Sequence, residues 1–199
     1  MLVTDKFNKI QQKIIDLLRH QLDPGLIYHN LEHTLDVMKQ SESIARAEGI
    51  KSKHDLDLLK LAAAYHDSGF IITYKNHEEK SCEILKNDLD GMLSEKDTEI
   101  VCGMIMATRI PQSPKTQLEK IICDADLDYL GRSDFEAISN NLHKEFIDYG
   151  VIKEKDDWNE IQIKFLETHN YFTSSSFLKR NTKKQEHLLL LKAGSSRPS

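Results

Sequence analysis

His66 and Asp67 close an apolar, alanine-rich stretch in which only Lys60 interrupts the run from Leu58 to Tyr65. A helix of that composition over 56–67 is buried nearly all round. Its last turn puts the Asp67 carboxylate at the negative end of the helix dipole, with Ala63, Ala64, Phe70 and Ile71 as helical neighbours. An unpaired carboxylate in such a place is costly; a bound cation offsets the cost, and so does a Lys or Arg partner. Asp126 poses the same problem, because the positions three and four away hold Ile122, Cys123, Tyr129 and Leu130. No buried cation is evident for it in the sequence. Asp124 and Asp128 fall on the opposite side of that helix, where Asp124 has Lys120 within salt-bridge reach. The cluster Tyr28-His29-Asn30-Leu31-Glu32-His33 spaces two imidazoles four residues apart, on one face if the helix begins early enough. That spacing alone suits surface or capping histidines as well as ligands.

Taken in order, His33, then His66-Asp67, then Asp126 resemble the His, His-Asp, Asp signature of the HD-domain superfamily of metal-dependent phosphohydrolases. The likeness covers about 28–130 and extends to the flanks: Tyr28-His29 before the first position, the alanine-rich helix before the second, and Asp-Ala-Asp at the last. A second His-Asp pair, His54-Asp55, reads instead as the start of a helix. The resemblance implies an all-α bundle around one divalent ion held by His33, His66, Asp67 and Asp126. Such a mixed nitrogen and oxygen set suits manganese, iron, cobalt, nickel or zinc. In dinuclear relatives further histidines follow the His-Asp pair. Here His77 is similar to the first of these, while the later position falls near Met106-Ala107-Thr108, so a single metal is expected.

The implied activity is hydrolysis of a phosphate ester or anhydride in a small, nucleotide-like compound, with Asp67 as general base beside its ligand role. His77 is a candidate for contacting phosphate or activating water, against the plainer reading of a histidine at a helix start. His29 and Arg109 are the substrate-binding candidates; a helix C-terminus explains Arg109 equally well. The segment 158–180, with Trp158, His169, Tyr171 and Arg180, offers material for a lid or specificity element, or simply for core. A non-catalytic metal-binding or ligand-sensing domain is the competing class. A di-iron oxygenase on the same scaffold would need more histidines. No Walker-type loop, Gly-x-Ser-x-Gly elbow or dinucleotide fingerprint is present.

These residues need a helical frame, and the rest of the sequence supplies one. Apolar residues recur at spacings of three and four, with four prolines in all. Ser52, Ser94 and Ser133, each followed three residues later by an acid, and Asn76 mark helix starts. Breaks are expected at Asp23-Pro24-Gly25, Gly49, Ser68-Gly69, Asp90-Gly91, between Pro111 and Pro114, and at Gly131 and Gly150. The intervening helices are about 12 to 19 residues long. A last helix over 177–191 takes its cap from the run 173–176. At 199 residues the chain suits one domain: an HD-type helical domain over 1–191, with the signature core at about 28–130, a helical extension at about 133–191, and a flexible small-residue tail at 192–199.

A formal net charge of -5 gives no basic footprint for duplex nucleic acid or an anionic membrane. Three cysteines without CxxC spacing, and a first twenty residues broken by Asp5, Lys6, Lys9, Lys13 and Asp16, lead to the expectation of a cytoplasmic protein with reduced thiols.

Overall fold

The computed structural model describes residues 2–195, and among them it contains nine α-helices and no strand. The helices are α1 (Leu2–Gln21), α2 (Leu31–Ala47), α3 (Lys53–Tyr65), α4 (His77–Asp88), α5 (Glu95–Ala107), α6 (Gln117–Asp126), α7 (Phe135–Asp148), α8 (Trp158–Thr168) and α9 (Ser174–Ser195). Short 3-10 turns cover Ser68–Ile71 and Asp128–Gly131. The all-α expectation holds. Helix lengths spread more widely than expected, from 10 residues in α6 to 22 in α9.

The alanine-rich helix α3 is the axis of the molecule. Leu58, Leu59 and every residue from Leu61 to Tyr65 are buried, and α1, α2, α5 and α6 pack around them. The packing partners present stripes of helical period, such as Ile10, Ile14 and Leu18 on α1 and Val37, Ile44 and Ala45 on α2. Alanines at 62–64 let the neighbouring helices approach closely, which brings the ends of α2, α3 and α6 to one place. A second cluster joins Tyr28, Leu127, Tyr129 and Leu130 to Phe135 of α7, Leu166 of α8 and Leu188 of α9. The C-terminal extension thus packs directly against the segment that carries the last site residue.

Helix starts follow local chemistry with informative exceptions. Ser52 and Ser94 cap α3 and α5 by accepting from Asp55 N and Asp97 N. Ser133 does not cap α7: the N-cap is Asp134, whose carboxylate is taken by Arg132 instead. Among the described residues the reciprocal capping box is Thr116 with Glu119 at α6, a Thr-x-x-Glu pattern outside the helix starts expected from the sequence. Asn76 precedes α4 as expected but in a left-handed conformation without a side-chain cap. At the C-terminus, α9 runs through Ser195, beyond the expected end at Leu191, so 192–195 are helical. The rest of the expected tail, 196–199, lies outside the described residues.

Candidate metal centre

Each site residue stands at the end of a helix. Asn30 caps α2 by accepting from His33 N at 3.0 Å, and so fixes His33 in the first turn. His29 lies before that helix rather than on it. His66 and Asp67 follow the last turn of α3, and Asp126 is the final residue of α6. The corner at His66-Asp67 is tied to α4 through Ser81, which donates to His66 O at 2.7 Å and accepts from Gly69 N at 2.8 Å. Gly69 is required there: a Cβ would lie 1.9 Å from His77 O. This close approach puts His77, the first residue of α4, beside the same corner.

His33, His66 and Asp126 offer ligand atoms that all lie within 4.8 Å of one another. His33 Nε2 is 3.2 Å from Asp126 Oδ1 and 3.4 Å from Asp67 Oδ2. His66 Nε2 is 3.1 Å from Asp67 Oδ2 and 3.7 Å from Asp126 Oδ1. The other nitrogen of His66, Nδ1, is 2.9 Å from Ala63 O, which assigns the proton to Nδ1 and leaves Nε2 as the ligating atom. His33 Nε2, His66 Nε2 and Asp67 Oδ2 are buried without a hydrogen-bond partner. Buried polar atoms in native proteins are nearly always satisfied, so three orphans converging with a fourth donor fit a cation.

The electrostatics agree. Burial pushes His33 down, but hydrogen bonds and charge from Asp126 and Asp67 prevail and hold it up at about 10. His66 and His77 are also raised, burial being outweighed by Asp67. Burial pushes the Asp67 carboxyl up, yet His66, His33 and His77 carry it well below the usual carboxylate range. The upward shift of the imidazoles beside the lowered Asp67 marks a cluster in which positive charge is favoured, and a divalent ion would supply it.

Asp67 Oδ1 lies 3.4 Å from His77 Nε2, so His77 adjoins the cluster. Phe70 stacks on both His77 and His29, with centroids 3.9 and 4.3 Å apart. The His29 Nδ1 is bonded to Glu145 Oε1, while Glu145 Oε2 accepts from Tyr28 N at 2.7 Å and His29 N at 3.1 Å. Tyr74 donates to the same carboxylate at 2.9 Å. These contacts fasten the first segment of the site to α7. A cavity of about 250 Å³ opens beside Asp67, His77, His29 and Asp126 and runs between α7 and α8, with Trp158 and Phe165 in its wall.

The structure therefore brings His29, His33, His66, Asp67, His77 and Asp126 together. Arg109 is placed differently. Its guanidinium is engaged by Glu79 and by Glu78 at 3.2 Å, and its neighbours Thr108 and Ile110 line the cavity while Arg109 does not.

Asp124 also departs from expectation: it is fully buried and makes no pair with Lys120. It accepts from Phe172 N and Thr173 N, both at 2.8 Å, and from Thr173 Oγ1 at 2.6 Å, which anchors the start of α9. Asp128 holds Arg180 of α9 through two 2.8 Å contacts. Of the three alternating acids only Asp126 belongs to the cluster. Glu145 and Glu78 are site neighbours that sequence reasoning missed. Both sit in charge-rich helical stretches where nothing distinguishes them from solvated acids.

No helix among the described residues is long and apolar enough to cross a membrane. A comparison with curated proteins found no match to the chain. The HD domain family matches residues 30–128, a span that begins at the cap of α2 and ends just past Asp126. With the His-Asp corner at the end of a buried helix, its partners on α2 and α6, and an all-helical frame around them, this chain belongs to the HD-domain superfamily.

Proposed function

We propose that the protein is a metal-dependent phosphohydrolase acting on a small phosphorylated compound. The observation that carries this reading is the convergence of His33 Nε2, His66 Nε2 and Asp67 Oδ2, all buried and unpartnered, with Asp126 at the mouth of a cavity. His33, His66, Asp67 and Asp126 would hold one divalent transition ion. Such an ion lowers the pKa of water and offsets charge on a phosphoryl oxygen.

The chain's own groups supply the rest. Asp67 presents one carboxylate oxygen to the imidazoles of His33 and His66 and the other to His77, so it can accept a proton from the attacking water and share it with His77. His29, oriented through Nδ1 by Glu145, keeps Nε2 for a phosphoryl oxygen. Arg109, held by two glutamates, has its main role in fixing the start of α4.

The test is a panel of phosphomonoesters, phosphodiesters and pyrophosphates offered to protein loaded separately with manganese, iron, cobalt, nickel and zinc. Turnover should appear with at least one metal and fall by two orders of magnitude or more in Asp67→Asn. Undiminished turnover in a folded Asp67→Asn variant would place the chemistry elsewhere. Bound metal without turnover on any ester would favour a ligand-sensing domain.

A further inference from the structure

The cavity beside the metal centre has one charged end. His29, His77, Asp67, Asp126 and Glu78 gather there, and the walls beyond them come from Leu127 and Leu130 and from the apolar faces of α7 and α8. Phe135, Leu142 and Phe146 form one side; Trp158, Ile161 and Phe165 form the other. Among the described residues, no lysine or arginine lines this cavity. The Arg109 guanidinium, whose chain neighbours Thr108 and Ile110 line the cavity, is bound by Glu78 and Glu79. In the wall beyond, Ser139 and Gln162 satisfy one another at 2.5 Å, and the buried Nε1 of Trp158 is a neutral donor without a partner.

A phosphoryl group carries about two negative charges, which the imidazoles and a divalent ion at the charged end can balance. A second phosphate, or any anion farther along the molecule, would have to leave water and lie against aliphatic and aromatic carbon with no countercharge. An apolar substituent in the same place gains by burial. The volume of about 250 Å³ is at the small end for ligand sites, so the body must be compact. From this geometry we infer that the site selects monophosphates with a compact apolar body, aryl or short alkyl, and rejects polyphosphates and substrates with a distal charge. The inference rests on the phosphohydrolase reading and narrows its substrate class.

Trp158 is the only tryptophan in the chain and lines the cavity, so its fluorescence reports occupancy without turnover. The metal-loaded full chain is titrated with methylphosphonate, propylphosphonate, butylphosphonate and benzylphosphonate, and with 3-phosphonopropionate, which carries a carboxylate at the far end of a short alkyl chain. Affinity should rise by roughly fourfold per added methylene until the cavity is filled. Benzylphosphonate should bind at least tenfold tighter than methylphosphonate, and 3-phosphonopropionate should lose the gain that its alkyl chain gives. Equal affinities for methyl- and benzylphosphonate, or tightest binding by 3-phosphonopropionate, would overturn the inference.

Turnover of phenyl phosphate and butyl phosphate, measured in parallel, separates the two claims. Graded binding without hydrolysis of either ester sustains the selectivity and removes the phosphohydrolase reading. Hydrolysis with no gradation among the phosphonates does the reverse.

Discussion

Asp124 and Asp126 stand two residues apart at the end of α6 and serve different parts of the molecule. Asp124 takes three hydrogen bonds from Phe172 and Thr173, whereas Asp126 Oδ1 lies 3.2 Å from His33 Nε2. Helical geometry sets two such positions about 200° apart, so one carboxylate can anchor α9 while the other enters the metal cluster. The two substitutions to Asn should therefore separate cleanly. Asp126→Asn is expected to weaken metal binding on the order of tenfold or more, with little change in folding stability. Asp124→Asn should leave the metal dissociation constant nearly unchanged and cost about 1–3 kcal/mol of stability, since an amide cannot accept from all three donors. Metal titration and chemical denaturation of both variants decide the matter. A larger metal defect in Asp124→Asn would contradict the assignment.

Asp128 makes the second fastening of α9, through paired contacts to Arg180 Nε and Nη2. The backbone there is close: a Cβ on Gly131 would lie 2.4 Å from Arg180 O. Removing the acid strands a largely buried guanidinium, so Asp128→Ala should lower stability by about 3 kcal/mol, the low end for breaking a buried ion pair. Because α9 packs on the turn that follows Asp126, metal affinity should fall as well, though less than in Asp126→Asn. A variant as stable as the parent would show that the pair contributes nothing.

Glu145 gives a pH signature. Burial pushes its carboxyl up, but His29, the Tyr28 N–H and Tyr74 outweigh burial and leave it below its ordinary value of 4.5. A carboxyl depressed by folding adds stability above its unfolded value, and that stability is lost as pH falls through the folded one. Glu145→Gln should thus be less stable than the parent by about 2 kcal/mol at neutral pH, the scale of hydrogen bonds to a charged group. The gap should close as pH is lowered from 4.5 into the depressed range. Denaturation curves of both proteins from pH 7 to pH 3 provide the check, and a gap that stays constant with pH would mean that the carboxylate charge is not what matters.

The sequence was most informative where a polar residue interrupts an apolar stripe. Asp67 and Asp126 stand out because their helical neighbours are apolar, and a family resemblance then joined them to His33 and His66. It was silent where the partner is remote. The donors to Asp124 come from Phe172 and Thr173, nearly fifty residues away, and no local rule foretells that Lys120 is not the partner. Glu145 reaches His29 across 116 positions from a helix whose other charges face water. Arg109 shows the same limit: Glu78 and Glu79 claim it through a contact between α4 and the end of α5. Ser133 and Thr116 show a local one: each has a Glu three residues on, Glu136 and Glu119, yet only the threonine caps its helix, because α7 starts behind Asp134, whose carboxylate Arg132 holds.

The central claim is that His33, His66, Asp67 and Asp126 form one metal site, and its most direct test is divalent-ion binding to chelator-stripped protein, with His66→Ala beside the parent. The buried, unpartnered Nε2 of His66 can be deleted without removing a structural hydrogen bond other than that to Ala63 O. The parent should bind about one equivalent of a transition ion and gain thermal stability that rises with the logarithm of the ion concentration once that exceeds the dissociation constant. His66→Ala should remain folded and lose at least tenfold in affinity. A parent that binds no divalent ion, or a folded His66→Ala variant with unchanged affinity, would contradict the account.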